Sequence, residues 1–203
     1  MTKIAIVYFS GYGHTEKLAA AVEAGAASEP GARVKTFRID ANGDLPDGAL
    51  EDIGGHDAIV YGSPTYMGGV AWQFKKFADA SSKIWFVQGW KDKIAAGFTN
   101  SASVNGDKGA TISWLMTFAM QHGQIWVGTG ILPSNRKEHG PQHVNWTAGM
   151  SGLLAVSPSD ASPEEAPRAG DLETARLFGR RIAVQTALRA QAQHERPREP
   201  ARV

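Results

Sequence analysis

Residues 3–15, KIAIVYFSGYGHT, decide the reading of this chain. Ile4–Phe9 is uncharged and rich in β-branched and aromatic side chains, the pattern of a strand covered on both faces. It breaks at Ser10-Gly11-Tyr12-Gly13-His14-Thr15, and Leu18, Ala19, Val22 and Ala26 then recur at helical spacing across Thr15–Ala27, before Pro30-Gly31 ends the run. A buried strand that enters an amphipathic helix through a short Gly-rich loop is the opening unit of an α/β domain.

The same grammar repeats outward from that unit. Ala58–Gly62, Ile94–Phe98 and Ile125–Val127 read as further buried strands. Val34–Ile39 alternates instead, as a half-buried strand near a sheet edge does. Between them, Val70–Ala80 reads as a helix after the third strand, with Trp72, Phe74 and Phe77 in or near it, and Ala110–Met120 is apolar almost all round, predicting a buried helix. A last helix is predicted from an Asp171 cap towards Ala190, with Leu172, Ala175, Phe178 and Ile182 on one face. Alternating strands and helices imply right-handed crossovers and a doubly wound parallel sheet with helices on both faces. Gly128–Ala161 reads as one long loop after the fifth strand, a length usually tied to function, a partner or mobility. One domain is expected over 1–192, and the polar, twice-proline segment 193–203 is expected to be a disordered tail.

Composition narrows the chemistry. The 203 residues are 42% hydrophobic and 20% charged, enough apolar material for a core. Lys and Arg number 21 against 20 Asp and Glu, and the tail alone holds three Arg against two Glu, so the body is formally neutral. No charge field is present to capture nucleic acid or an anionic membrane. The absence of cysteine removes disulfides, thiolate metal sites, iron–sulfur clusters and cysteine nucleophiles together. His139 and His143 stand four apart, but Gly140-Pro141 lies between them and no third ligand is evident, so no metal is expected. With no leader-like start and no apolar run near the roughly 18–20 residues that span a bilayer, the expectation is a cytoplasmic protein without membrane insertion.

Ligands of open α/β sheets bind beyond the carboxyl ends of the strands. Three loops leave such ends. In the first, residues 10–15, hydroxyls and glycines precede a helix start, where free N–H groups and the dipole favour an anion. It has neither the lysine of a Walker A loop nor the third glycine of G-x-G-x-x-G, which suits a terminal phosphomonoester; a plain Gly-rich turn fits the same residues. In the second, Ser63-Pro64-Thr65-Tyr66-Met67-Gly68-Gly69, Pro64 stiffens the turn, and Tyr66 and Met67 offer flat or soft surfaces to an aromatic ring. Taken alone, the segment is better read as an ordinary strand-to-helix turn. In the third, Asn100–Gly106, amides and small side chains could meet a heterocycle edge.

In order and spacing the three loops resemble a flavin mononucleotide (FMN) site. The chain resembles the flavodoxin-like fold and, within it, the WrbA-type NAD(P)H:quinone oxidoreductases, through YFSGYGHT at 8–15, YGSPTYMGG at 61–69, FTNSAS at 98–103 and MQHG at 120–123. The resemblance implies a five-stranded sheet in the order 2-1-3-4-5. It implies that Ser10, Tyr12, Gly13, His14 and Thr15 hold the FMN phosphate and ribityl end. Pro64, Thr65, Tyr66, Met67 and Gly68 would flank the isoalloxazine, and Asn100, Ser101, Ala102 and Ser103 would cover its pyrimidine edge. Tyr12 and Trp85 would line the pocket for nicotinamide and quinone, and His122, or its neighbour Gln121, would approach the flavin. Tyr66-Met67 stands where the family usually has Arg-Phe, and the third loop lacks the family's Gly-rich run. The implied activity is transfer of two electrons from NADH or NADPH to a quinone, with a flavodoxin-type electron carrier or an FMN reductase as rivals. The neutral body weighs against an acidic carrier. A homo-oligomer, by resemblance a tetramer, is expected.

Overall fold

The computed structural model describes residues 1–195, the side chains of 193–195 excepted. Strand β1 (Thr2–Phe9) lies inside the sheet, with β2 (Ala32–Ile39) parallel on one side and β3 (Ala58–Tyr66) parallel on the other, so that Ile4 sits between Val34 and Ala58. Its alternate residues feed opposite cores, as the two-residue period of a strand requires. Ile4, Ile6 and Tyr8 pack with Leu18 and Val22 of α1 (His14–Ala27) and Phe178 and Ile182 of α6 (Ala169–Glu195). Ala5, Val7 and Phe9 pack on the other face with Phe74 and Phe77 of α3 (Trp72–Ala80), with Trp90, and with Leu115 and Phe118 of α5 (Lys108–Gln121). α1 and α6 meet backbone to backbone: a Cβ on Gly25 would overlap the Arg176 carbonyl oxygen, and one on Gly179 that of Val22.

β3 pairs with β5 (Ile94–Ser101), giving the doubly wound order expected of a flavodoxin-like sheet, with β2 at the edge as its alternation indicates. The far edge differs from expectation. It is shared by β6 (Ile125–Trp126), opposite Ile94 and Ala95, and β7 (Leu153–Val156), opposite Phe98 to Ser101. The long segment therefore interrupts the fifth strand rather than following it. Beyond Val127 the chain turns its hydrogen bonds inward: Thr129 donates to Met150 O (3.0 Å) and Gly149 O (2.7 Å), and Asn145 Nδ2 to Ile131 O (2.8 Å). The excursion closes on itself and returns to the same edge.

Smaller departures have local causes. Val70 leaves the helix expected over Val70–Ala80 and joins Gly69 in β4, an antiparallel ribbon with Thr65-Tyr66, so α3 starts at Trp72. Two short helices, α2 (Ala49–Gly54) and α4 (Ser82–Phe86), were not read from the sequence. α5 buries one face, with Thr111, Ile112, Leu115, Phe118 and Ala119, and leaves Met120 exposed, so it is not covered all round. Asp171 lies within the first turn of α6 and accepts the Val156 N–H (2.9 Å) instead of capping the helix. α6 continues past Gln193 to Glu195; residues 196–203 of the expected tail lie outside the described residues. Among the described residues no helix is long and apolar enough to cross a membrane.

Candidate functional site

Strand order reverses between β1 and β3, and a crevice opens beyond their carboxyl ends, where such sheets bind ligands. It is an open cleft of about 540 Å³, within the range of small-molecule sites. Gly11, Tyr12, His14 and Thr15 line it from the first loop, Pro64 to Tyr66 from the second, and Asn100 to Ala102 from the third. A fourth wall, Ser157, Ser159, Ala161 and Pro163 after β7, was missed from the sequence. Its short run of small polar residues is visible, but only the split edge strand brings it to the cleft.

The first loop is shaped by its own polar groups. Ser10 Oγ accepts the Gly13 N–H (3.1 Å) and the Glu16 N–H (3.2 Å), which ties the turn to α1 and leaves the Ser10 O–H to donate elsewhere. Gly13 sits at φ +89°, a conformation open to glycine at little cost. The His14 Nε2–H donates to Ala161 O (2.9 Å), fastening the fourth wall to the first loop. Thr15 is buried at the helix start. Among the described residues no lysine or arginine lines the cleft, so an anion there would be met by hydroxyls, N–H groups and the positive end of α1.

The second loop is held from behind. The Thr65 hydroxyl lies 2.8 Å from both Thr99 and Thr111, and Ser63 Oγ accepts the Ala71 N–H (3.0 Å). Tyr66 meets Tyr12 edge-on, centroids 6.4 Å apart, and a Cβ on Gly11 would stand 2.5 Å from the Tyr66 hydroxyl. Burial, with Tyr12 adding to it, raises the Tyr66 pKa, so its O–H stays protonated. Tyr12 remains 76% exposed at the mouth.

The third loop is braced by Lys108, a residue that no sequence motif singles out. Its ammonium donates to Ser101 Oγ (2.7 Å) and to the carbonyls of Ser103 and Val104 (2.8 Å each), and the side chain is 1% exposed. Burial lowers its pKa to about 8, partly opposed by Asp171, whose own pKa burial raises to about 6 against the Val156 hydrogen bond and Lys108. The third and fourth loops are joined, Ser157 Oγ donating to Asn100 Oδ1 (2.9 Å) and Ser157 N to Ser101 O (3.0 Å).

The sequence-predicted residues therefore divide. Tyr12, His14, Thr15, Pro64, Thr65, Tyr66, Asn100, Ser101 and Ala102 line one cleft, with Ser10 and Gly13 shaping its first loop. Met67 and Gly68, both at positive φ, form the turn into β4, and Ser103 turns its carbonyl to Lys108; these three are not in the lining. Gln121, His122 and Trp85 are not brought to the cleft. α5 starts beside the third loop and runs back along the sheet, so its last residues reach the amino ends of the strands, about 23 Å away along the eight residues of β5. There His122 is 2% exposed, its ring 4.4 Å from that of Trp90 and its Nε2 2.9 Å from Ser81 Oγ, and burial lowers its pKa to about 4. Trp85 lies on α4, immediately after Ser81 and at that same end. His139 and His143 stack with centroids 4.5 Å apart.

Comparison with known proteins bears on this geometry. The family model described as NADPH-dependent FMN reductase matches residues 2–138. A flavodoxin, FldP, from Pseudomonas aeruginosa is 46% identical over 183 residues, covering 90% of this chain and 96% of the relative. An NAD(P)H dehydrogenase (quinone) from Sinorhizobium fredii is 30% identical over 200 residues, again 90% of this chain and 96% of the relative. Among solved structures, a flavodoxin described as WrbA-like, from Agrobacterium tumefaciens, superposes with a TM-score of 0.74 at 42% identity, covering 93% of this chain and 99% of that one.

Proposed function

The chain belongs to the NADPH-dependent FMN reductase family, in its WrbA-type branch, and from that premise we propose that it is an FMN-dependent oxidoreductase passing two electrons from NADH or NADPH to a quinone. The observation that carries the reading is the pairing of two unlike walls in one cleft. A cation-free loop of hydroxyls and amides sits at the start of α1, and Tyr12 and Tyr66 stand beside it at the mouth. A phosphomonoester joined to a flat heterocycle matches both, and the absence of a Cβ at Gly11 and Gly13 leaves room for Tyr66 and Pro163 to close in on the loop.

In this reading the Ser10 and Thr15 hydroxyls and the first N–H groups of α1 hold the phosphate. Tyr12, Pro64 and Tyr66 flank the ring system, while Asn100 to Ala102 meet its polar edge. Bound FMN would supply the hydride and electron chemistry; the chain binds, orients and limits water. No side chain in the cleft needs to act as a nucleophile, and His14, engaged by Ala161, serves to fix the loop. The quinone and a homo-oligomeric, tetrameric assembly belong to the same proposal. Such an assembly would cover the exposed Trp85, Phe86 and Val87, and Trp85 could reach a cleft only from a second copy, since its own lies at the other end of the sheet.

An electron-transferring flavodoxin is the second reading, favoured by the name of the Pseudomonas relative. Oxidation of NADH or NADPH by the FMN-saturated protein, with and without benzoquinone, separates them. Repeated quinone-dependent turnover with FMN retained supports the enzyme. Reduction only through a protein partner supports the carrier, and loss of flavin on reduction supports an FMN reductase.

A further inference from the structure

Lys108 stands where elementary electrostatics disfavours it. It is the first residue of α5, at the positive end of the helix dipole, and it is buried. No carboxylate among the described residues lies within ion-pair distance of it; Asp171 acts on it only at longer range. Burying a cation without a paired anion is unfavourable unless something offsets it. Its three N–H groups are all spent on one loop, through Ser101 Oγ and the Ser103 and Val104 carbonyls. Because a trans peptide points its C=O and N–H in opposite directions, the Val104 and Asn105 N–H groups are turned away from the ammonium, to the outer side of the loop. Ser101, its direct partner, lines the cleft together with Ala102. The positive charge thus lies one side chain behind the cleft wall, screened from water and unable to leave.

A ligand that gains negative charge on reduction would recover that cost. A hydride from a nicotinamide brings two electrons and one proton, which leaves the flavin ring system with one negative charge more than the oxidised ring. We propose that Lys108 is a positioning residue for the flavin: held by Ser101, Ser103 and Val104, its ammonium fixes the third loop and favours reduced over oxidised FMN. This rests on the FMN reading given above. A unit charge acting over roughly 10 Å at an effective dielectric near 20 shifts an equilibrium by on the order of tenfold.

The test compares dissociation constants of oxidised and dithionite-reduced FMN, measured anaerobically on the full chain, for the wild type, K108M, K108Q and K108R. The neutral variants are expected to lower the preference for reduced FMN about tenfold, equivalent to a two-electron potential about 30 mV more negative, while K108R keeps it. K108Q retains amide donors for the loop carbonyls and carries the test if K108M does not fold. Equal weakening of both constants, with the ratio unchanged, would reduce Lys108 to a structural brace and overturn the inference. Wild-type protein that binds no FMN in either state would instead overturn the FMN reading itself.

Discussion

Replacing Gly13 with alanine tests the first loop twice over. Gly13 sits at φ +89°, where a Cβ costs about 1–2 kcal/mol, offset by about 0.4–1 kcal/mol from the stiffer unfolded chain. The new Cβ would also stand 2.6 Å from Pro163 Cγ, and relieving such overpacking costs about 1–3 kcal/mol more. Gly31 supplies the control: its φ is +82°, but nothing lies within 4 Å of a Cβ built there. Gly31→Ala should therefore lose about 1 kcal/mol, or about 2–4 °C in thermal midpoint, and Gly13→Ala about 2–4 kcal/mol, or about 4–16 °C. Thermal unfolding of the apoprotein, followed by circular dichroism, reads both. FMN affinity should fall in Gly13→Ala alone, because moving Pro163 also moves Ala161 away from His14. Equal losses in the two variants would refute the packing of the fourth wall on the first loop.

Further outcomes follow from other contacts. Thr15→Val should weaken FMN binding by about 10–100-fold, the worth of a hydrogen bond to a charged group, in a fluorescence titration; unchanged affinity would contradict the phosphate assignment. Gly25→Ala forces α1 and α6 apart at the Arg176 carbonyl, and despite alanine's helix advantage of about 1 kcal/mol it should lower the thermal midpoint by several degrees; a raised midpoint would show that the helices are not in backbone contact. His122, whose folded pKa of about 4 lies below the ordinary 6.5, contributes stability that is full above pH 6.5 and is lost as pH falls through 4. The drop is on the order of 3 kcal/mol in urea unfolding, and His122→Phe, which keeps a ring against Trp90, should lack that part of the acid loss.

His122 also illustrates why some of the site could not be read from sequence. Ser81 Oγ donates to Ala78 O (2.7 Å), so it accepts the His122 Nε2–H, and Nδ1 is left buried without a partner. That environment is assembled by Ser81 and Trp90, distant in sequence, and it marks a packed histidine where the resemblance implies a flavin contact. Strand β1 and its loop were legible because both faces of the strand are buried and its periodicity is local. The second half of the edge strand was not, since Leu153–Val156 is four residues whose identity as a strand depends on pairing with Phe98–Ser101. Ser157 to Pro163 stayed hidden for the same reason. Lys108 was missed because composition assigns a lysine beside Asp107 and Gly109 to solvent, and only the inward carbonyls of the loop bury it.

Titration of the apoprotein with FMN, followed by flavin fluorescence quenching and checked for stoichiometry by equilibrium dialysis, decides whether the cleft is a flavin site. Saturable binding of one FMN per chain, weakened by Thr15→Val, is the expected result. Failure of the folded protein to bind FMN, or binding indifferent to Thr15, would contradict it.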